Sequence, residues 1–217
     1  MDICTSCGNL IQSRDVHLSD GRGICAKCLP ATVKTQQHVI WVNERVVSIL
    51  GKYGINDIPK NIPIKVVSTM ELAKLLNRTE VNIMQLGLTY TKFSVNTFGS
   101  KMEHQIYIIE GLHKILFAGT LAHEYLHVWQ NENSISLPPF LSEGFCNIGS
   151  YVVYQSINTD LSHYLINNLE ESRDPIYGDG FRKVKEIYKK VENLRLTMEC
   201  IKSLKDLNSV GTFNRVY

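Results

Sequence analysis

The sequence predicts an α+β domain preceded by a small four-cysteine module, on three observations. Short β-branched segments come early and helical patterns fill the second half, with little alternation between them. Four of the six cysteines fall within the first 28 residues, in two Cys-x2-Cys pairs. The chain has 217 residues with 44% hydrophobic content, enough to bury a substantial core.

Residues 1–32 read as the module. "CTSCGN" and "CAKCLP" have the form of tight turns, and seventeen mostly polar residues separate the two pairs. A segment this short cannot bury a core and needs a staple. Residues 36–217 read as the larger domain. In "QHVIWVNERVVSILGK" (37–52), Val39, Trp41 or Val42, Val46, Ile49 and Leu50 recur at helical spacing, and Gly54 follows as a cap. "IPIKVVS" (62–68) is short and β-branched, hence a strand. "TMELAKLLN" continues as a helix capped by Ser68 or Thr69, with Glu71 in its first turn. "LGLTYTKFSV" (86–95) and "HQIYIIE" (104–110) are expected to form a short antiparallel sheet, joined through the turn "NTFGSKM". Gly111 breaks the second strand before a long helix over 112–131. "SLPPF" reads as a loop, since two prolines cannot continue a helix. "LSEGFCNIGSYVVYQSI" reads as helix despite Gly144 and Gly149, and "SHYLINNLEES" as another. "DPIYGDG" reads as a turn, and "FRKVKEIYKKVENLRLTMECIKSL" as one long amphipathic helix.

The formal charge of +2 gives no global field to attract nucleic acid or an anionic membrane. No apolar run approaches the roughly 20 residues needed to span a bilayer, and "MDICTSCGNL" is no secretory signal. The expectation is a soluble, cytoplasmic protein, whose reduced thiols favour metal over disulfide. Cys4, Cys7, Cys25 and Cys28 have a structural-zinc spacing, and four thiolates leave a tetrahedral ion no open position. His17 lies between the pairs and can replace one cysteine, although a surface histidine is the simpler reading. With Arg14, Arg22 and Lys27 as its only basic residues, the module points to a protein contact or a purely structural role.

The chemistry concentrates in "LAHEYLHVWQ" (121–130). On a helix, residues i and i+4 stand one above the other, so His123 and His127 can direct two imidazoles at one ion. Glu124 lies beside that face, placed to contact a zinc-bound water without ligating the metal. This is the His-Glu-x-x-His arrangement of zinc peptidases. A catalytic site needs a third protein ligand and an open position. Glu143, in "LSEGF", reaches the imidazoles if the chain reverses at "SLPPF" and returns as a helix; Glu132 faces elsewhere. The bland alternative is an amphipathic helix with partly exposed histidines, but Leu121, Ala122, Leu126, Val128 and Trp129 surround the motif with apolar residues.

"GLHKILFAGTLAHEYLHVWQ…LSEGFCNIGSYVVY", then "DPIYGDGFR", resembles the peptidase domain of the ubiquitin-activated, LIM-domain-containing zinc peptidases that restrict organ growth in plants. "VHLSDGRGICAKCLPATV" resembles the zinc-binding stretch ahead of that domain. The resemblance covers residues 1–30 and roughly 85–190. It implies a minimal relative: a zincin-like metallopeptidase core cleaving protein substrates, preceded by a zinc-ribbon or LIM-like module. Carried over by position, His123, His127 and Glu143 are the catalytic zinc ligands and Glu124 the general base. No segment here matches the family's ubiquitin-binding helices, and one four-cysteine module stands in place of a full LIM domain. Ubiquitin activation and the plant substrates are therefore outside the expectation.

The cofactors expected are two zinc ions, one catalytic and one structural, and the partner a protein or peptide substrate. Asn147, one turn beyond Glu143, is a candidate acceptor for a ligand histidine's second nitrogen, and Cys146 reads as a small buried hydrophobe. "HQIYIIE" is either an edge strand that pairs with substrate or a central strand of the core. Tyr151 and Tyr154 lie too far along their helix to stabilise an oxyanion, whereas Tyr177 sits in a loop able to reach the site. The rival reading is a non-catalytic protein-interaction module built around the zinc ribbon, its second metal site vestigial. A nucleic-acid-binding zinc protein is disfavoured by the balanced charge.

Overall fold

The structure, a computed structural model, describes residues 3–80, 82–96 and 99–212, apart from the side chains of 96, 99 and 204–212. Within these residues the chain is a mixed α+β protein with seven α-helices and two small sheets. None of the helices is long and apolar enough to cross a membrane.

Strands β1 (Val16–His17) and β2 (Gly23–Ile24) pair antiparallel in the N-terminal segment. Helix α1 (Gln36–Lys52) buries Val39, Val42, Val46 and Leu50 and leaves Trp41 exposed, and Gly54 follows at φ +96°. Strand β3 (Ile64–Val67) leads into α2 (Thr69–Leu75) through a reciprocal cap, Ser68 with Glu71. Strands β4 (Gly87–Asn96) and β5 (Gly99–Ile109) run further toward each other than their sequence pattern indicates. Part of the expected turn, 97–98, lies outside the described residues.

The expected antiparallel sheet is in fact mixed. Its order is β3-β5-β4, with β4 antiparallel to β5 but β3 parallel to it. The connection through α2 and β4 supplies the crossover that parallel pairing requires. "HQIYIIE" is therefore central: Ile106, Ile108 and Ile109 are fully buried, and the edge beside the helices is β4.

Gly111 (φ +79°) turns the chain into α3 (Lys114–Glu132), which lies at the centre of the protein. Every side chain from Ile115 to Ala122 is buried, with α1, α4, β4 and β5 packed around the helix. A helix apolar on all sides belongs in a core. Helix α4 (Pro139–Ile157) starts inside the expected loop because Pro139 occupies its first turn, where a missing N–H costs nothing. Its two glycines are points of close approach. A Cβ at Gly149 would meet Leu126 Cδ1 at 2.7 Å, and one at Gly144 would meet the Gly180 backbone at 2.4 Å.

Helix α5 (Asp160–Glu171) follows, and α6 (Tyr177–Val191) begins within the expected turn. Asp174 Oδ1 accepts the amides of Ile176 and Tyr177, each at 2.8 Å, and so holds the turn that leads into the helix. The single long helix expected at the C-terminus is two. Glu192 adopts the left-handed conformation, and Asn193 Oδ1 caps α7 (Leu194–Thr212) by accepting from Leu196 N.

Candidate metal centres

His123 and His127 stand one turn apart on α3, and Glu143 meets them from the start of α4. The two Nε2 atoms are 3.1 Å apart, and Glu143 Oε2 lies 3.1 Å from that of His123 and 3.4 Å from that of His127. The three side chains are 14%, 24% and 21% exposed, so the point they face is reachable from outside. Burial disfavours charging the imidazoles, but the Glu143 carboxylate outweighs it and raises both pKa values. Burial likewise opposes ionisation of Glu143, and the two imidazoles overcome it, holding its carboxyl far below the usual range. These three atoms favour a positive charge between them.

The opposite ring nitrogens have their own partners on α4. His123 Nδ1 meets Asn147 Oδ1 at 2.9 Å, and Asn147 Nδ2 donates to the Tyr177 carbonyl at 3.1 Å. His127 Nδ1 meets Cys146 Sγ at 3.4 Å. Donor atoms of His123, His127 and Cys146 all lie within 4.8 Å of one another, so this cluster can hold a metal ion. Two sets, with Glu143 or with Cys146, thus share the histidines. Burial pushes the Cys146 thiol well above its ordinary pKa, which makes the sulphur a poor anion.

Glu124 is buried beside these rings and held against β4. Thr89 Oγ1 lies 2.8 Å from Glu124 Oε2 and 2.9 Å from the carbonyl of the same residue. Gly87, on the same face of the strand, leaves room for the other carboxylate oxygen, since a Cβ there would come within 2.6 Å of Oε1. Glu132 is turned away, its Oε1 bonded to His104 Nε2 at 2.7 Å. Tyr177 lies in the first turn of α6 rather than in a loop. Burial, then the carboxylates of Glu143, Asp174 and Glu124, raises its phenol pKa, which places the ring within their field. Tyr151 and Tyr154 are buried in the packing of α4.

The four sulphurs of Cys4, Cys7, Cys25 and Cys28 also lie within 4.8 Å of one another, Cys7 and Cys25 at 3.6 Å, and this cluster too can hold a metal ion. None of these thiols is in a disulfide. Burial opposes ionisation of Cys4, but the backbone amides of Cys25, Cys7 and Ser6 outweigh it and bring its thiol down to about 7. Burial raises Cys7 and Cys28. His17 sits on β1, exposed and outside the sulphur cluster. The segment packs against the turn before α3. Ser6 Oγ accepts from His113 N at 3.0 Å, and Leu18 and Ile24 lie over Gly111.

The chain matches no protein-family model, no curated protein and no solved structure.

Sequence reasoning missed three contacts that bear on these centres. Cys146 follows Glu143 by three residues, so helical spacing alone turns it toward the same helix; its apolar character hid that. Thr89 and Gly87 carry an alternating-strand signal, but the strand's partner is not readable from it. Ser6, between two cysteines, gave no signal for a contact 107 residues away.

Proposed function

We propose that this protein is a zinc-dependent peptidase, with a catalytic ion on His123, His127 and Glu143 and a structural ion on Cys4, Cys7, Cys25 and Cys28. The observation that carries the reading is the triangle of two Nε2 atoms and one carboxylate oxygen at 3.1, 3.1 and 3.4 Å, with Glu124 buried alongside. Tetrahedral zinc with bonds of about 2.0–2.2 Å separates its ligands by roughly 3.4 Å, which this triangle fits. The corresponding sulphur spacing is about 3.8 Å, close to the 3.6 Å between Cys7 and Cys25.

Zinc, when bound, supplies Lewis-acid polarisation and lowers the pKa of water. The chain's own groups do the rest. Glu124 takes the proton from the attacking water and delivers it to the leaving amine, steadied by Thr89 against β4. Tyr177 stays protonated and donates to the oxyanion that forms on the scissile carbonyl. The free side of β4 is the edge on which an extended polypeptide can lie. The substrate class is therefore unfolded or locally extended protein.

The test is zinc content and cleavage of an unfolded protein for the parent, Glu124→Gln and Glu143→Gln. Glu124→Gln is expected to keep both ions and lose about 10²–10⁴-fold in activity. Glu143→Gln is expected to lose one ion and the activity together, since a neutral amide is a poor zinc ligand. Equal zinc retention in both variants removes Glu143 as a ligand and defeats the proposal. If the parent is silent toward the substrate, the zinc measurement decides.

A further inference from the structure

We infer that Cys146 is a positioning residue for the metal centre, its sulphur accepting the Nδ1–H of His127 and fixing that ring's tautomer. The inference rests on the reading of His123, His127 and Glu143 as zinc ligands. If Nε2 of His127 offers its lone pair to an ion, the ring's single proton must sit on Nδ1. That N–H then faces Cys146 Sγ at 3.4 Å.

The sulphur is held in place to receive it. Gln130 Nε2 donates to the same sulphur at 3.0 Å, and Ser142 Oγ donates to Gln130 Oε1 at 2.9 Å, which fixes the amide with its NH2 toward Cys146. Two N–H groups converge on one sulphur, an acceptor's role and not a donor's. Cys146 itself is fully buried on α4, so water cannot substitute.

His123 has the matching arrangement through Asn147 Oδ1, whose orientation is set by donation to the Tyr177 carbonyl. Adjacent residues of one helix thus hold the outer nitrogens of both ligand histidines, and both acceptors are neutral. A carboxylate in that position makes imidazole a more basic ligand. Here both acceptors lack a carboxylate's charge, so the imidazoles would keep their ordinary donor strength toward an ion held between them. The geometry also gives Cys146 a different place from that of a ligand: its sulphur serves the ring nitrogen opposite the one that faces Glu143.

Cys146→Ala and the larger, equally apolar Cys146→Val remove the acceptor, whereas Cys146→Ser keeps one. Zinc affinity would be measured on the full chain by competition with a chromophoric chelator, the four-cysteine ion serving as internal reference. Alanine and valine are expected to weaken the second ion by about 10–100-fold, the usual effect of losing such a partner, and serine to stay within about threefold of the parent. Cobalt substitution supplies a second readout. Thiolate-to-cobalt absorption should be equal in the parent and Cys146→Ser, because all of it arises at the four-cysteine site. Unchanged affinity in both alanine and valine variants overturns the inference, and so does lost thiolate absorption in the serine variant, which would make Cys146 a ligand. A parent that binds a single zinc overturns the underlying metal reading, an outcome distinct from either.

Discussion

The two candidate metal centres of this chain are built in opposite directions. The buried members of the N-terminal cluster are Cys4, Ile24, Cys25 and Cys28, so three of the four are the ligands themselves. Apart from those sulphurs, almost no apolar core remains. His123, His127 and Glu143 instead stand on α3 and α4, whose other faces belong to an apolar cluster that extends from Val33 to Ile201. There the helices are fixed by packing, and the ligands arrive already converged. In the first centre an ion would make the fold; in the second the fold makes the site an ion could take. Similar donor spacings thus carry very different energetic consequences.

The largest expected effect tests that contrast directly. Cys25→Ser is expected to lose one zinc and, with it, the order of the N-terminal segment, because binding energy in so small a module is its folding energy. Trypsin should then cut at Arg14, Arg22 and Lys27 faster than it does in the parent, where Arg22 is buried, while the segment from α1 onward stays resistant. Glu143→Gln, by contrast, should lose its ion with little change in protease resistance. If the two variants unfolded to the same extent, the distinction between the centres would be gone.

That same difference decided what the sequence revealed. Cysteine pairs and the His-Glu-x-x-His run are local patterns; a reversal at "SLPPF" was enough to bring Glu143 to the histidines, and helical spacing then put Asn147 on the same side. The helices were legible where apolar residues recur at the helical period, as in α1 and α3. Their limits were not always so. Pro139 reads as a breaker until its place in the first turn of α4 is known, and Asn193 hides a helix boundary inside a continuous amphipathic pattern. Sheet topology escaped most completely. Nothing local in "IPIKVVS" says that it pairs parallel to β5, 42 residues away in register at Ile64 and Ile106. Thr89 against Glu124 and Ser6 against His113 depend on that topology and on docking, and so were unreadable.

A smaller effect sharpens the comparison where the regions meet. His113 caps α3, its Nδ1 accepting from Ile115 N at 3.1 Å, and burial, then the nearby Lys114, lowers its pKa to about 4. Protonation would turn that acceptor into a donor and break the cap. In the unfolded chain the residue titrates near 6.5. The stability it contributes is therefore full above that pH and is lost as pH falls toward 4, a change of about 3 kcal/mol. His113→Asn keeps a capping oxygen without the titration. Thermal melts from pH 7.5 to 4.5 should show a shallower acid decline in His113→Asn than in the parent. Parallel declines would mean that the acid sensitivity comes from groups other than His113.

The smallest effect asks whether the two regions are independent at all. Ser6 is 1% exposed, lies between two of the cysteines, and accepts the backbone N–H of His113. Ser6→Ala leaves that buried N–H without a partner, at a cost of about 1–2 kcal/mol, and should leave both zinc sites filled. The informative measurement is the double-mutant cycle with Cys25→Ser. If the four-cysteine segment supports α3 only while it is folded by its ion, Ser6→Ala should destabilise the parent and do nothing in the Cys25→Ser background, where the contact is already lost. Additive losses would mean that residues 4–7 hold their place without the ion. In that case the first centre, like the second, would be made by its fold, and the contrast between them would fail.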